Sequence, residues 1–179
     1  PATHALYWSD QGRRADAFQA GVRACYQMFF QCMDESFRHG RLQFDPAAGQ
    51  YLATPALELL PHAIRAHEEA LQRFDTPVFH MAYANFLAEA AVVLYCYGQV
   101  REARELYAKL IALYPNPQGD PEFDEFVASC LAGDLSETPR EDAIALVDGF
   151  LVQSLRRAAR GDAAGAAEAA AMAGKIWQQ

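Results

Sequence analysis

Apolar and polar residues along this chain fall into runs with helical spacing, separated by short polar breaks that name their own ends. Four breaks share one form, in which a cap residue precedes a proline that suits the first helical position: Thr54-Pro55, Thr76-Pro77, Asp120-Pro121 and Thr138-Pro139. In the last of these Glu141 completes a capping box. The first helix is expected from about Arg13 to His39, with Phe18, Val22, Cys25, Phe29 and Cys32 on its inward stripe and Gly40 at its end. A loop over residues 41–53 should follow, its Phe44, Tyr51 and Leu52 lying on the domain. Next comes a helix from about Pro55 to Phe74, which Pro61 should kink or split.

A nearly all-apolar helix is expected over Val78 to Tyr97 and a more amphipathic one over Val100 to Tyr114. On the second, Arg101/Glu105 and Glu105/Lys109 form outward pairs one turn apart. A short helix over Pro121 to Ala132 should bury Phe123, Phe126, Val127 and Cys130. Two more, over Pro139 to Arg160 and Ala163 to Trp177, bring the count to about seven. Strand-like alternation is not evident, so the fold class expected is all-α.

Length and charge sharpen this picture. A chain of 179 residues fits one domain able to bury its own core, so the whole is read as a single helical domain, expected to be a piece of a longer protein because it opens on Pro1. The net charge of −8 sets it against nucleic acid, whose phosphates call for a basic face. The four cysteines show no CxxC pair and no zinc spacing, which fits buried reduced thiols and a cytoplasmic setting. No apolar run is read as reaching the ~20 residues that span a bilayer, since the stretch from Phe86 to Tyr97 is short and holds Glu89; no membrane insertion is expected.

Residues 84–115 carry the most specific pattern. Leu87, Ala91 and Leu94 are placed to pack one helix, Gly98 to turn the chain, and Ala103, Tyr107, Leu110 and Pro115 to pack and end a second. Sixty-three residues on, Phe150, Ser154, Gly161 and Ala166 stand where Leu87, Ala91, Gly98 and Ala103 do. The segment resembles a tetratricopeptide-type (TPR-like) repeat, with one good copy at 84–115 and weaker echoes at about 55–77 and 147–178. That resemblance implies antiparallel helical hairpins stacked as a short right-handed α-solenoid, the helix at 121–132 being an insertion. It also implies a concave face bearing Asn85, Glu89, Tyr95 and Asp148, where repeat proteins bind a protein or peptide segment. The Lys and Asn set with which such domains clamp a C-terminal carboxylate is replaced by Ala88, Val92, Leu151 and Leu155. The groove therefore suits an apolar or basic helix, or is filled by the inserted helix.

A search for chemistry finds little. No GxGxxG, P-loop or GxSxG occurs, and His67-Glu68-Glu69 lacks the second histidine of a zinc-protease helix. Asp120, Glu122 and Asp124 alternate as a calcium loop opens, but Glu125 stands where the glycine belongs and Leu131 where the bidentate glutamate does. His62 and His67 are five apart and do not stack on one helix face. A Cys96 or Cys130 nucleophile beside His80 would lack a third orienting group. The expectation is thus a non-enzymatic interaction module, a scaffold or adaptor with no metal and no cofactor, and with oligomerisation open. The alternative is a regulatory domain that senses a small apolar ligand between its helices.

Overall fold

The computed structural model describes residues 2–15, 19–45, 49–132 and 140–177. Its character is all-α: the described residues form eight α-helices, one 3-10 turn and one β-hairpin. They gather into two compact units, Pro1–Phe86 and Leu87–Gln179, divided inside helix α4.

Unit 1 opens with α1 (Ala2–Ala15) and α2 (Gln19–His39), which pack on each other. The single helix expected from Arg13 to His39 is therefore two. A Cβ on Gly12 would overlap the Cys25 sulfur, and the Arg13 guanidinium lies 4.0 Å from the centre of the Phe29 ring. Residues that far apart in sequence would be about 20 Å or more apart along one helix. Phe18 of the expected stripe and the Thr138-Pro139 cap lie outside the described residues. The buried face of α2 is Val22, Phe30, Cys32, Met33, Asp34 and Phe37, so Asp34 takes a core position that the Cys25/Phe29/Cys32 stripe did not include.

The expected loop over 41–53 is instead a hairpin, β1 (Arg41–Asp45) paired antiparallel with β2 (Gln50–Thr54), and Gly49 turns it at φ +65°. Leu42 faces Ala53 and Phe44 faces Tyr51 across the strands, the latter rings 5.3 Å apart, so a short period-two pattern was present and masked by its helical surroundings. Thr54 is not a helix cap. It ends β2 with its hydroxyl donating to the Arg41 carbonyl at 3.3 Å, and the Ala56 N–H then caps the α2 terminus by donating to the Phe37 carbonyl at 2.8 Å.

A 3-10 turn (Leu57–Leu59) leads into α3 (Leu60–Arg73). Pro61 sits in the first turn of α3, where its missing N–H costs nothing, and so starts a helix instead of kinking one. Helix α4 (Pro77–Cys96) begins as expected, Thr76 Oγ accepting from the Phe79 N–H at 3.4 Å. By length and composition α4 is long and apolar enough to cross a membrane, which corrects the shorter run read from the sequence; half of its most apolar stretch is buried in the structure.

Unit 2 takes α4 from Leu87 onward, then α5 (Val100–Leu113), α6 (Phe123–Ala132), α7 (Arg140–Ala159) and α8 (Ala163–Trp177). Asp120 serves the preceding turn, accepting from the Asn116 N–H at 3.1 Å, and α6 begins two residues later than its proline suggested. Within α6, Phe123, Val127 and Leu131 are buried while Cys130 is exposed, so the inward stripe is turned one residue from the expected one. The alanine- and glycine-rich α8 lies close on α7, with Ser154 Oγ donating to the Ala166 carbonyl at 2.8 Å.

Candidate interaction surfaces

The two glycine turns of unit 2 are built alike, bond for bond. After α4 the Gly98 N–H donates to the Tyr95 carbonyl and the Gln99 N–H to the Leu94 carbonyl, both at 2.9 Å, with Gly98 at φ +76°. After α7 the Gly161 N–H donates to the Ala158 carbonyl and the Asp162 N–H to the Arg157 carbonyl, both at 3.0 Å, with Gly161 at φ +81°. This is the Schellman closure, which needs a residue at positive φ and so selects glycine. The next helix starts the same way in each case: Ala103 N–H donates to the Gln99 carbonyl and Ala166 N–H to the Asp162 carbonyl. Leu87 and Phe150, which correspond at the same offset of 63, are both buried, as are Ala103 and Ala166.

Helix α7 is docked on the end of α4 through polar groups that a packed helix terminus requires. Gln153 Nε2 donates to the Tyr95 carbonyl, which also accepts from Gly98, and Arg156 donates to the Tyr97 carbonyl, each at 3.1 Å. Tyr97 Oη donates to Asp148 at 3.1 Å. Gly149 permits this approach, since a Cβ there would fall 2.8 Å from the Tyr97 ring and 3.1 Å from the Cys96 carbonyl carbon. On the outer side of α7, Leu151 and Leu155 follow Asp148 at i+3 and i+7 and are 46% and 71% exposed.

Aromatic residues build a cradle on α4 and α5, and α6 sits in it. The Phe123 ring meets Tyr95 at 6.0 Å and Tyr107 at 5.6 Å, Phe126 stacks on Tyr107 at 4.5 Å, and Phe150 of α7 meets Tyr95 at 6.4 Å. Tyr107 Oη donates to the Pro121 carbonyl at 2.6 Å, and burial, with the charges of Asp120 and Glu122, raises its phenol above the ordinary value and keeps it a donor. Arg104 reaches Asp124 at 2.7 Å and lies over the Phe123 ring at 4.6 Å.

Of the four residues placed on the concave face, Asn85 is exposed and Glu89 half-buried one turn on along α4. Tyr95, six residues beyond Glu89, lies about 120° away from it around the helix axis and is taken up by Phe123 and Phe150. Asp148 is held by Tyr97. Tyr95 and Asp148 thus share the α4–α7 seam, whereas Asn85 and Glu89 belong to another stripe of α4. Helix α6 packs its phenylalanines against Tyr95 and Tyr107.

Unit 1 contains the most unusual buried group. His67 is 1% exposed, and its Nε2 lies 3.0 and 3.1 Å from the two carboxylate oxygens of Asp34, also buried. An ionised carboxylate can only accept, so Nε2 carries the hydrogen. The imidazole is stacked with Phe30 at 4.4 Å, Phe86 at 5.1 Å and Tyr83 at 5.2 Å. Sequence reasoning set His67 aside for its spacing from His62; its place after Ala63 and before Ala70 on the buried face of α3 was the available signal.

Burial pushes the Cys96 thiol up to about 12, and burial with the nearby Glu35 charge raises Cys32. His80, the partner considered for Cys96, lies 2.6 Å from Asp75. Among the described residues no three His, Cys, Asp or Glu side chains converge as a metal site. No family model matches the chain, and no curated protein or solved structure matches it.

Proposed function

We propose that this chain is a non-enzymatic protein–protein interaction module, a TPR-like scaffold whose helical hairpins hold a preformed surface for a segment of another protein. The observation that carries this reading is the pair of equivalent Schellman turns 63 residues apart, each opening a helix with a buried alanine at the same step. A glycine closure alone is common at helix ends; it is the common offset of the turn, the buried Leu87/Phe150 pair and the buried Ala103/Ala166 pair that supports a repeat. How the reactive groups are held also supports it: Cys96 is buried and protonated, and His67 is committed to Asp34.

The docking surface proposed is the outer side of α7 at Leu151 and Leu155, whose exposed leucines suit the apolar face of an amphipathic helix. The test is affinity capture with the chain and with a Leu151→Asp/Leu155→Asp variant, whose fold exposed substitutions should spare. Loss of a specific partner with unchanged circular dichroism is expected. An identical set of captured proteins would reject this surface.

A further inference from the structure

Helix α6 is held as a bound ligand would be held. The arm that brings it, residues 115–122, is exposed throughout and carries Pro115, Pro117, Gly119 at φ +98° and Pro121. From it α6 presents Phe123, Phe126, Val127 and Leu131, spaced i, i+3, i+4 and i+8, the pattern by which an amphipathic helix lies in a groove. Its other face, Asp124, Glu125, Ala128, Ser129 and Cys130, is exposed. Ten residues are too few for a stable isolated helix, so α6 owes its helicity to the cradle of Tyr95, Arg104 and Tyr107.

We infer that this cradle is a helix-binding site which α6 fills in cis and which a partner's helix fills in trans by displacing it. The occupant in place defines the chemistry of its competitor. It needs aromatic residues at i and i+3 for Tyr95 and Tyr107, aliphatic residues at i+4 and i+8, and an acidic residue at i+1 for Arg104, as Asp124 supplies now. A tethered helix competes at an effective concentration in the millimolar range, so a partner binds weakly until α6 is weakened. The inference rests on the interaction-module reading but concerns a different surface from Leu151 and Leu155.

The experiment uses the whole chain and a fluorescent peptide of residues 120–132. A Phe123→Ala/Phe126→Ala chain, its own α6 weakened, should bind the peptide at least tenfold tighter than wild type. Arg104→Glu in that background should lose the peptide and regain one carrying Asp124→Arg. Hydrogen exchange on the wild-type chain provides a readout free of any variant's folding: α6 amides should exchange well before those of α5 and α7. A folded variant that ignores the peptide, or α6 amides that exchange only together with α5 and α7, would overturn the inference. Capture lost through Leu151→Asp/Leu155→Asp alongside either result would leave the module reading standing.

Discussion

Replacing His67 by Phe tests the physical account of unit 1 most directly. Phenylalanine keeps an aromatic ring between Phe30, Tyr83 and Phe86, so little packing is lost, but it removes the Nε2 donor that faces both oxygens of the Asp34 carboxylate, whose side chain is 10% exposed. Isolating one member of a buried pair leaves an uncompensated charge in a low dielectric and costs about 3–5 kcal/mol, a large part of the stability of a domain this size. Converting both residues, Asp34→Leu with His67→Phe, removes that charge as well. The double variant should then return to within about 1 kcal/mol of wild type or exceed it, because well-packed apolar replacements of buried pairs are often neutral or stabilising. Urea unfolding followed by far-UV circular dichroism measures all three chains, and the change in slope shows whether the transition stays two-state. If His67→Phe alone were within about 1 kcal/mol of the double variant, the argument from an isolated buried charge would be wrong.

Three further outcomes follow from the same reasoning. Gly149→Ala should loosen α7 from the end of α4, costing about 1–3 kcal/mol by overpacking against the Tyr97 ring, and should speed exchange of the Gly98 amide; unchanged stability would contradict the observed approach. Gly98→Ala and Gly161→Ala should each cost about 1–2 kcal/mol for a side chain forced to positive φ, and clearly unequal losses would argue against equivalent turns. Burial opposes ionisation of Asp10, but hydrogen bonds and charge from Arg13 and Arg14 outweigh it and hold the carboxyl below 3.8. Its contribution to stability is therefore present above that value and lost as pH falls through the lowered one, so Asp10→Asn should flatten the acid limb of a melting-temperature profile, and parallel profiles would refute the assignment.

The sequence by itself determined most helices of unit 2 and the turns between them. Its signals there are local: Gly98 and Gly161 each close a helix through bonds within six residues, and the apolar stripe of α5 needs no distant partner to be read. Thr76 likewise caps α4 from its own neighbourhood. Where the same local signal served another purpose, reading failed. Thr54 and Asp120 look like helix caps, yet one hydroxyl bonds across a hairpin and one carboxylate closes a turn, choices made by chain segments that fold back on them.

Only the tertiary structure decided which polar groups go inside. Asp34 and His67 stand 33 residues apart and are each ordinary surface residues in isolation; burial becomes affordable because α2 and α3 bring donor and acceptor together within an aromatic stack. The split of the first helix has the same origin, since Gly12 against Cys25 and Arg13 over Phe29 are contacts between segments that periodicity alone reads as continuous. The seat of α6 was also a tertiary matter: its phenylalanines advertise a buried face, but only the fold assigns them to Tyr95 and Tyr107, because hydrophobic burial is non-directional and spacing along one helix does not name its partner.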